Sequence, residues 1–166
     1  MGMKNKTLIL FIIGLLLLVG LVGLVRFARK SRINDRVPLQ IGTKALMVEL
    51  ALSPKEQIQG LSRRESIDES SGMLFVFSSA HKPTFWMKDM RFPLDIIWIR
   101  DNHIVDIHEH VPMPPPDNAT LPLYSPKEDV TMALEVRAGS SARWGIHIGD
   151  SVDIDNSKII RERRRV

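Results

Sequence analysis

Two acidic residues, Asp95 and Glu135, have the clearest potential for catalysis in this sequence. Asp95 stands at the start of an apolar segment, and Glu135 lies between Leu134 and Val136 in another. Two carboxyl groups about 5–10 Å apart can hydrolyse a glycosidic bond, one as acid and the other as nucleophile or base. The alternative is structural, with Asp95 accepting backbone N–H bonds at a turn and Glu135 facing solvent. If the sheet curls, Glu135 instead faces a pocket that raises its pKa.

A second group of residues has the side-chain types of a ligand-binding surface. Strand alternation places Trp86 and Lys88 on one face, opposite Phe85 and Met87. An exposed indole beside an ammonium group suits a sugar ring or an anionic group. The alternative is that Trp86 packs against a neighbouring loop while Lys88 pairs with an acid. The predicted ligand-binding set is Trp86, Lys88, Asp89 and Asp95.

The histidines raise the question of a metal site. His108 and His110 are two residues apart in a strand-like segment, so both side chains would project to one face and could share Zn²⁺. A third ligand could come from His81, Asp106 or Glu109. The sequence has no cysteine and no H-E-x-x-H motif. We therefore predict a solvated strand edge, with no metal and no cofactor.

The distribution of charge disfavours nucleic acid as a partner. The chain has a net charge of +4, yet residues 37–157 contain 11 Lys and Arg against 17 Asp and Glu, a net charge of −6. The excess of basic residues lies in the two ends, 1–36 and 158–166. Since a nucleic-acid-binding domain needs a basic folded face, we predict no nucleic-acid partner.

The N-terminal region has the pattern of a membrane anchor. Residues 8–25 carry no charge over 18 positions, which as a helix would extend about 27 Å. We predict a transmembrane helix or signal anchor there, between a short tail at 1–7 and a basic linker at 26–39. A cleaved signal peptide is the alternative. The linker residues predicted to attract anionic lipid are Arg26, Arg29, Lys30 and Arg32.

The predicted globular domain covers residues 40–156. Ser53-Pro54-Lys55-Glu56 has the pattern of a capping box, and Ser140 is placed to cap a short helix through Trp144. We predict an α+β fold with a mostly antiparallel, curled, barrel-like sheet and one or two short helices. Residues 157–166 are predicted to form a frayed basic tail. Strands are predicted at 44–52, 73–77, 84–88, 94–99, 104–111, 132–136 and 151–154, with the second and third paired.

Six short motifs lie in order along the chain: Gly60-Leu61, Gly72-Met73-Leu74-Phe75, Phe85-Trp86-Met87-Lys88, Pro93-Leu94-Asp95, Leu134-Glu135-Val136 with Ala138-Gly139, and Gly149-Asp150. Together they resemble an uncharacterised bacterial and archaeal family, domain of unknown function 192. The resemblance covers about residues 44–154 and departs from the usual pattern at Asp89-Met90, where Asn-Thr is common, and at Asn102-His103, where a turn often ends in Gly. A further departure is Ser62, where Met is usual.

The resemblance implies a fold but no reaction. Its members have no established activity, so it assigns no catalytic residue, and whether the chain is an enzyme stays open. The lysines and arginines that follow residues 8–25 favour a cytoplasmic domain, whereas the export signals of related proteins favour an extracytoplasmic one. We predict a single-pass membrane protein with an extracytoplasmic binding or accessory module for a small polar ligand, a glycan or an envelope partner. An envelope hydrolase with paired carboxylates and a purely structural domain are the alternatives.

Overall fold

The computed structural model describes residues 36–116 and 121–164, nearly all of them in the unit Val37–Val166. The predicted membrane segment at 8–25 and the lipid-contacting residues Arg26, Arg29, Lys30 and Arg32 lie outside the described residues. Among the residues that are described, no helix is long and apolar enough to cross a membrane.

The domain is built on a curled seven-stranded sheet with the strand order β6-β5-β8-β3-β2-β1-β9. Every neighbouring pair is antiparallel except β2 and β3, which run parallel. Strands β4 and β7 form a separate antiparallel pair. The strands are β1 (Val37–Ile41), β2 (Lys44–Ala51), β3 (Ser71–His81), β4 (Phe85–Trp86), β5 (Leu94–Arg100), β6 (His103–Val111), β7 (Leu123–Tyr124), β8 (Val130–Arg137) and β9 (Val152–Ile154).

The two outer strands of the sheet, β6 and β9, meet at one corner. The backbone N–H of Ile104 donates to the carbonyl of Asp150 at 3.0 Å, and that of Val152 donates to Asn102 at 2.8 Å. A sheet whose first and last strands exchange hydrogen bonds must curl toward closure. The predicted α+β fold with a curled, mostly antiparallel sheet is therefore confirmed.

Strand alternation divides the apolar residues between the two faces of the sheet. Leu74 and Leu134 belong to a first core, whereas Phe75 and Ala133 belong to a second core on the other face. Because side chains alternate along a strand, neighbours in sequence enter different cores. The second core also receives Trp98, which is fully buried.

In the part of the chain that the structure describes, three short helices accompany the sheet: α1 (Pro54–Gln59), α2 (Ser140–Trp144) and α3 (Asn156–Arg163). The predicted capping box of α1 is present, since Ser53 Oγ accepts from the N–H of Glu56 while Glu56 Oε2 accepts from the N–H of Ser53 at 2.9 Å. Helix α1 connects the parallel strands β2 and β3, as a parallel crossover requires.

Several elements differ from the sequence-based predictions. Strand β3 pairs with β2 and β8, not with the segment at 84–88. Strand β1 begins at Val37, within the predicted linker. The predicted frayed tail instead forms α3, in which Ile159 is buried and Arg163 donates to the carbonyl of Phe77 at 2.9 Å. Burial of one apolar side chain and this long-range bond stabilise a helix that its basic composition disfavours.

The β5–β6 turn offers a test of the unusual Asn102. Asp101 and Asn102 have φ of +50° and +61°, the left-handed values of a two-residue type I′ turn, where Gly is preferred at the second position. We expect Asn102→Gly to raise the free energy of unfolding by about 0.5 kcal/mol and Asn102→Ala to lower it by about 1 kcal/mol. Urea unfolding checks both variants, and a less stable glycine variant would contradict this interpretation of the turn.

Candidate functional site

A cleft of about 520 Å³ opens beside the second core. It is enclosed by α1 and the residues after it, by the end of β3, and by the segment around β4. Its lining is mostly apolar, with a few ionisable side chains. The residues are Pro54, Gln57, Ile58, Gln59, Gly60, Leu61, Ser62, Phe75, Phe77, His81, Lys82, Pro83, Thr84, Phe85, Trp86, Lys88, Met90 and Glu135.

A row of aromatic rings positions the wall of the cleft. The ring of Phe85 lies 4.8 Å from that of Phe75 and 5.0 Å from that of Trp98, both at tilted angles. This packing holds Phe85 inward, and strand alternation then turns Trp86 outward. Pairing of β4 with β7 brings Phe85 opposite Tyr124 and holds the segment in place.

Trp86 and Lys88 lie together at the mouth of the cleft. The side chain of Trp86 is 51% exposed, and Lys88 Nζ lies 5.9 Å from the centre of its ring. Both residues line the cleft, with Phe85 and Met87 turned inward, in agreement with the predicted alternation. This geometry permits stacking on the indole and an ion pair with the ammonium group at once.

Glu135 reaches the cleft from β8 and is nearly buried, at 7% exposure. Its Oε2 atom is buried and has no hydrogen-bond partner. Burial raises the pKa of Glu135 to about 8, opposed by the charge of Arg64. Arg64 itself forms a two-pronged ion pair with Glu49 at 2.9 and 2.8 Å. The carboxyl group is therefore mainly neutral at pH 7.

Asp95 occupies a different place from Glu135. It is fully buried, and its carboxylate accepts backbone N–H bonds from His110, Gly139 and Ser141 at 2.9, 3.1 and 2.9 Å. The last bond caps α2, whose own N-cap, Gly139, offers no side chain. Ser140 is not the cap that the sequence predicted but the first residue inside the helix.

The structure does not bring the two candidate catalytic carboxylates together. Asp95 pairs with Val136, while Glu135 pairs with Ile96, so the two acids project to opposite faces of the sheet. The hypothesis of paired carboxylates is therefore wrong in geometry. Asp95 is also absent from the cleft lining. Its carboxylate oxygens accept hydrogen bonds from backbone N–H groups, as the structural alternative for Asp95 predicted.

Asp89 lies beside the cleft rather than in its lining. Its φ is +58°, and its carboxylate Oδ2 lies 3.3 Å from Arg63 Nη2. After Gly, Asn and Asp are the residues that best tolerate this left-handed region, so Asp89 can adopt the same backbone conformation as an Asn. Asp89 lines a smaller hollow with Arg63, Arg91 and the prolines at 114–116.

The two candidate metal-binding histidines face different neighbours. His108 Nδ1 accepts from Trp98 Nε1 at 2.8 Å, whereas the His110 ring lies against Gly139. Strand β6 carries one extra residue relative to β5 between His108 and Val111, and His110 has φ of +52°. This bulge interrupts the alternation of side chains along β6, so His108 and His110 do not share a face as predicted. Within residues 36–116 and 121–164, no three His, Asp or Glu side chains form a metal-binding group.

Several lining residues were not among the predicted site residues. Gln57, Gly60 and Phe77 come from elements separated in sequence, and only the Gly60-Leu61 motif indicated one of them. Gln57 Nε2 donates to the carbonyls of Ala51 and Val76, both at 3.2 Å, and so fastens α1 across β2 and β3. Strand β3 extends beyond its predicted end, so that His81 is its last residue and Lys82 follows it.

The solved structures that resemble this chain include the following two. One is a chain from Sinorhizobium meliloti 1021 named "putative transcription regulator", with 30% identity and a TM-score of 0.66, covering 72% of this chain and 93% of that one. The other is a protein of unknown function from Novosphingobium aromaticivorans DSM 12444, with 29% identity and a TM-score of 0.65. The match covers 71% of this chain and 84% of that one. No curated protein matches.

A family profile described as "Uncharacterized ACR" matches residues 37–154, which is nearly the whole described domain. The predicted resemblance is thus confirmed over a longer range than the motifs alone cover. The chain belongs to the uncharacterised family domain of unknown function 192.

Proposed function

We propose that this domain is a binding module whose cleft takes a small anionic ligand with an apolar, preferably aromatic, body. The observation that carries the proposal is the pair at the mouth of the cleft, where the half-exposed Trp86 lies beside Lys88. An indole face and an ammonium group together suit a flat body with a carboxylate or phosphate.

The charge of the lining supports an anion. The ionisable residues of the cleft are His81, Lys82, Lys88 and Glu135, and Glu135 is mainly neutral at pH 7. The cleft is therefore positive, although residues 37–157 carry a net charge of −6. A local positive charge attracts anions to the cleft, even though the domain as a whole is acidic.

The size and the apolar character of the cleft support a small molecule. Its volume of about 520 Å³ falls within the range of about 300–1,000 Å³ common for ligand pockets. Ile58, at 72% exposure, and Trp86 extend the apolar surface outward from the buried rings. Burial of such side chains against a ligand removes apolar surface from water on both partners.

We also place this module outside the cytoplasmic membrane, tethered by the uncharged segment 8–25. The length of that segment and the export signals common in related proteins support this location. A glycan or an envelope component with an acidic group would satisfy the same chemistry. The Sinorhizobium protein is named a transcription regulator, but for this chain the net charge of residues 37–157 disfavours a DNA-binding face.

The proposal predicts a preference for charge that depends on Lys88. We expect the full-length chain to bind 3-phenylpropanoate at least about tenfold more tightly than its neutral amide, because only the acid forms the ion pair. Lys88→Gln should abolish this preference for the acid, and Trp86→Ala should weaken the binding of both compounds. Isothermal titration calorimetry at pH 7 and low salt measures the four affinities.

Lys44 provides a matched control. Its Nζ also lies over an indole, that of Trp144 at 4.8 Å, but outside the cleft. Lys44→Gln should therefore leave both affinities unchanged. Equal binding of the acid and the amide, or equal effects of the two lysine substitutions, would disprove the proposed anion site.

A further inference from the structure

We propose that the carboxyl group of Glu135 is the polar recognition group at the floor of the cleft, donating a hydrogen bond to a carbonyl oxygen of the bound anion. This inference rests on the proposed function and narrows its ligand class. The ligand would be an amphipathic acid that carries its charge at Lys88 and a carbonyl group at its buried end.

The first observation is that Oε2 of Glu135 is buried without a hydrogen-bond partner. Leaving such an atom unsatisfied destabilises the folded state, so a folded protein rarely keeps one without a use. The facing residue on β3 is Met73, which offers no strong partner. A ligand atom that enters the cleft would satisfy this carboxyl group.

The second observation is that Gly60 lies directly in front of the Glu135 carboxyl group, and both residues line the cleft. This glycine ends α1 with φ of +48°, and a Cβ there would lie 3.7 Å from Glu135 Oε2 and 3.3 Å from Phe75 Cζ. A side chain at this position would therefore fill the space in front of the carboxyl group. Its absence leaves that group reachable from the cleft.

Glu135 stays protonated and available as a donor because burial raises its pKa more than the charge of Arg64 lowers it. Arg64 is the cation that acts on it, and Arg64 is already paired with Glu49 on β2. The other ionisable residues of the lining are His81, Lys82 and Lys88. On β5 the facing residue is Ile96, which carries no charge.

Ionisation of Glu135 would remove this donor. The pKa of about 8 keeps the proton in place at neutral pH and releases it above. A carboxylate at the floor would then face the carbonyl oxygen with like partial charge and would repel an anion. Binding of a carbonyl-bearing acid should therefore weaken as pH rises through 8, whereas its carbonyl-free analogue loses less.

The test uses two acids of the same shape, 3-(4-acetylphenyl)propanoate and 3-(4-ethylphenyl)propanoate, with the full-length chain. At pH 6.5 we expect the acetyl compound to bind about tenfold more tightly than the ethyl compound. Glu135→Gln, whose amide also donates, should keep this preference, and Glu135→Leu should remove it. At pH 9.5 the wild type should lose the preference and Glu135→Gln should retain it.

The outcomes separate this inference from the proposed function. If both acids bind with equal affinity at pH 6.5 and Lys88→Gln weakens the binding of both, the anion site stands and the role of Glu135 is disproved. If neither acid binds, both proposals fail. If the Leu variant does not fold, the pH dependence of the wild type and of the Gln variant still decides, because a preference that persists at pH 9.5 in the wild type overturns the inference.

Discussion

Asp95→Ala is expected to destabilise the domain by about 4 kcal/mol, enough to unfold a marginally stable domain. The substitution removes one buried carboxylate and leaves the backbone N–H groups of His110, Gly139 and Ser141 without an acceptor. Hydrogen bonds to a charged acceptor contribute about 1.5–3 kcal/mol each, although losses at one site are not additive. Urea unfolding at pH 7 measures the change.

Two variants make this prediction specific. Asp95→Asn can keep Oδ1 as acceptor for His110 and Gly139, but its amide would face the N–H of Ser141, so an intermediate loss is expected. Asp153→Ala removes an exposed aspartate and should change the stability by less than about 0.5 kcal/mol. A stable Asp95→Ala variant that no longer binds ligand would instead restore Asp95 as a ligand-binding residue.

Glu135→Gln is expected to remove a large pH dependence of stability. The pKa of Glu135 is about 8 in the folded domain against an ordinary value of 4.5, so the folded state holds a proton that the unfolded state releases. The stabilisation from this proton is complete below pH 4.5 and is lost as pH rises to about 8. The total loss amounts to at most about 5 kcal/mol, at about 1.4 kcal/mol for each pH unit.

The glutamine variant carries no titrating proton at this position. Its free energy of unfolding should therefore exceed that of the wild type at pH 9, and the difference should shrink toward pH 5. Urea unfolding at pH 5, 7 and 9 checks this expectation, with Glu109→Gln, an exposed glutamate on β6, as the matched control. Parallel pH profiles for the wild type and Glu135→Gln would show that Glu135 is ionised in the folded domain.

The local elements were predictable because they depend on neighbours in sequence. The capping box of α1 needs only Ser53 and Glu56 three residues apart, and both partners take the expected positions. The outward Trp86 and inward Phe85 follow from alternation in an extended segment. The family motifs extend over the same domain, so the family could be identified before the structure was considered.

The sequence-based predictions that proved wrong have a common physical cause, which is interaction between segments that are distant in sequence. The bulge in β6 depends on Asp95, which holds the left-handed His110 from the neighbouring strand. The cap of α2 comes from the same distant carboxylate, so no residue next to Ser140 could reveal it. Parallel pairing of β2 with β3 likewise depends on α1 as a crossover rather than on either strand alone.

The sequence by itself determined the family, the curled α+β sheet and the residues that could do chemistry, because periodicity, capping patterns and short motifs are local properties. It also identified Trp86, Lys88 and Glu135 as candidates. Only the tertiary structure decided that these three line one cleft and that Asp95 lies on the other face of the sheet. The register between β5 and β8 sets those faces, and a shift of one residue would exchange them.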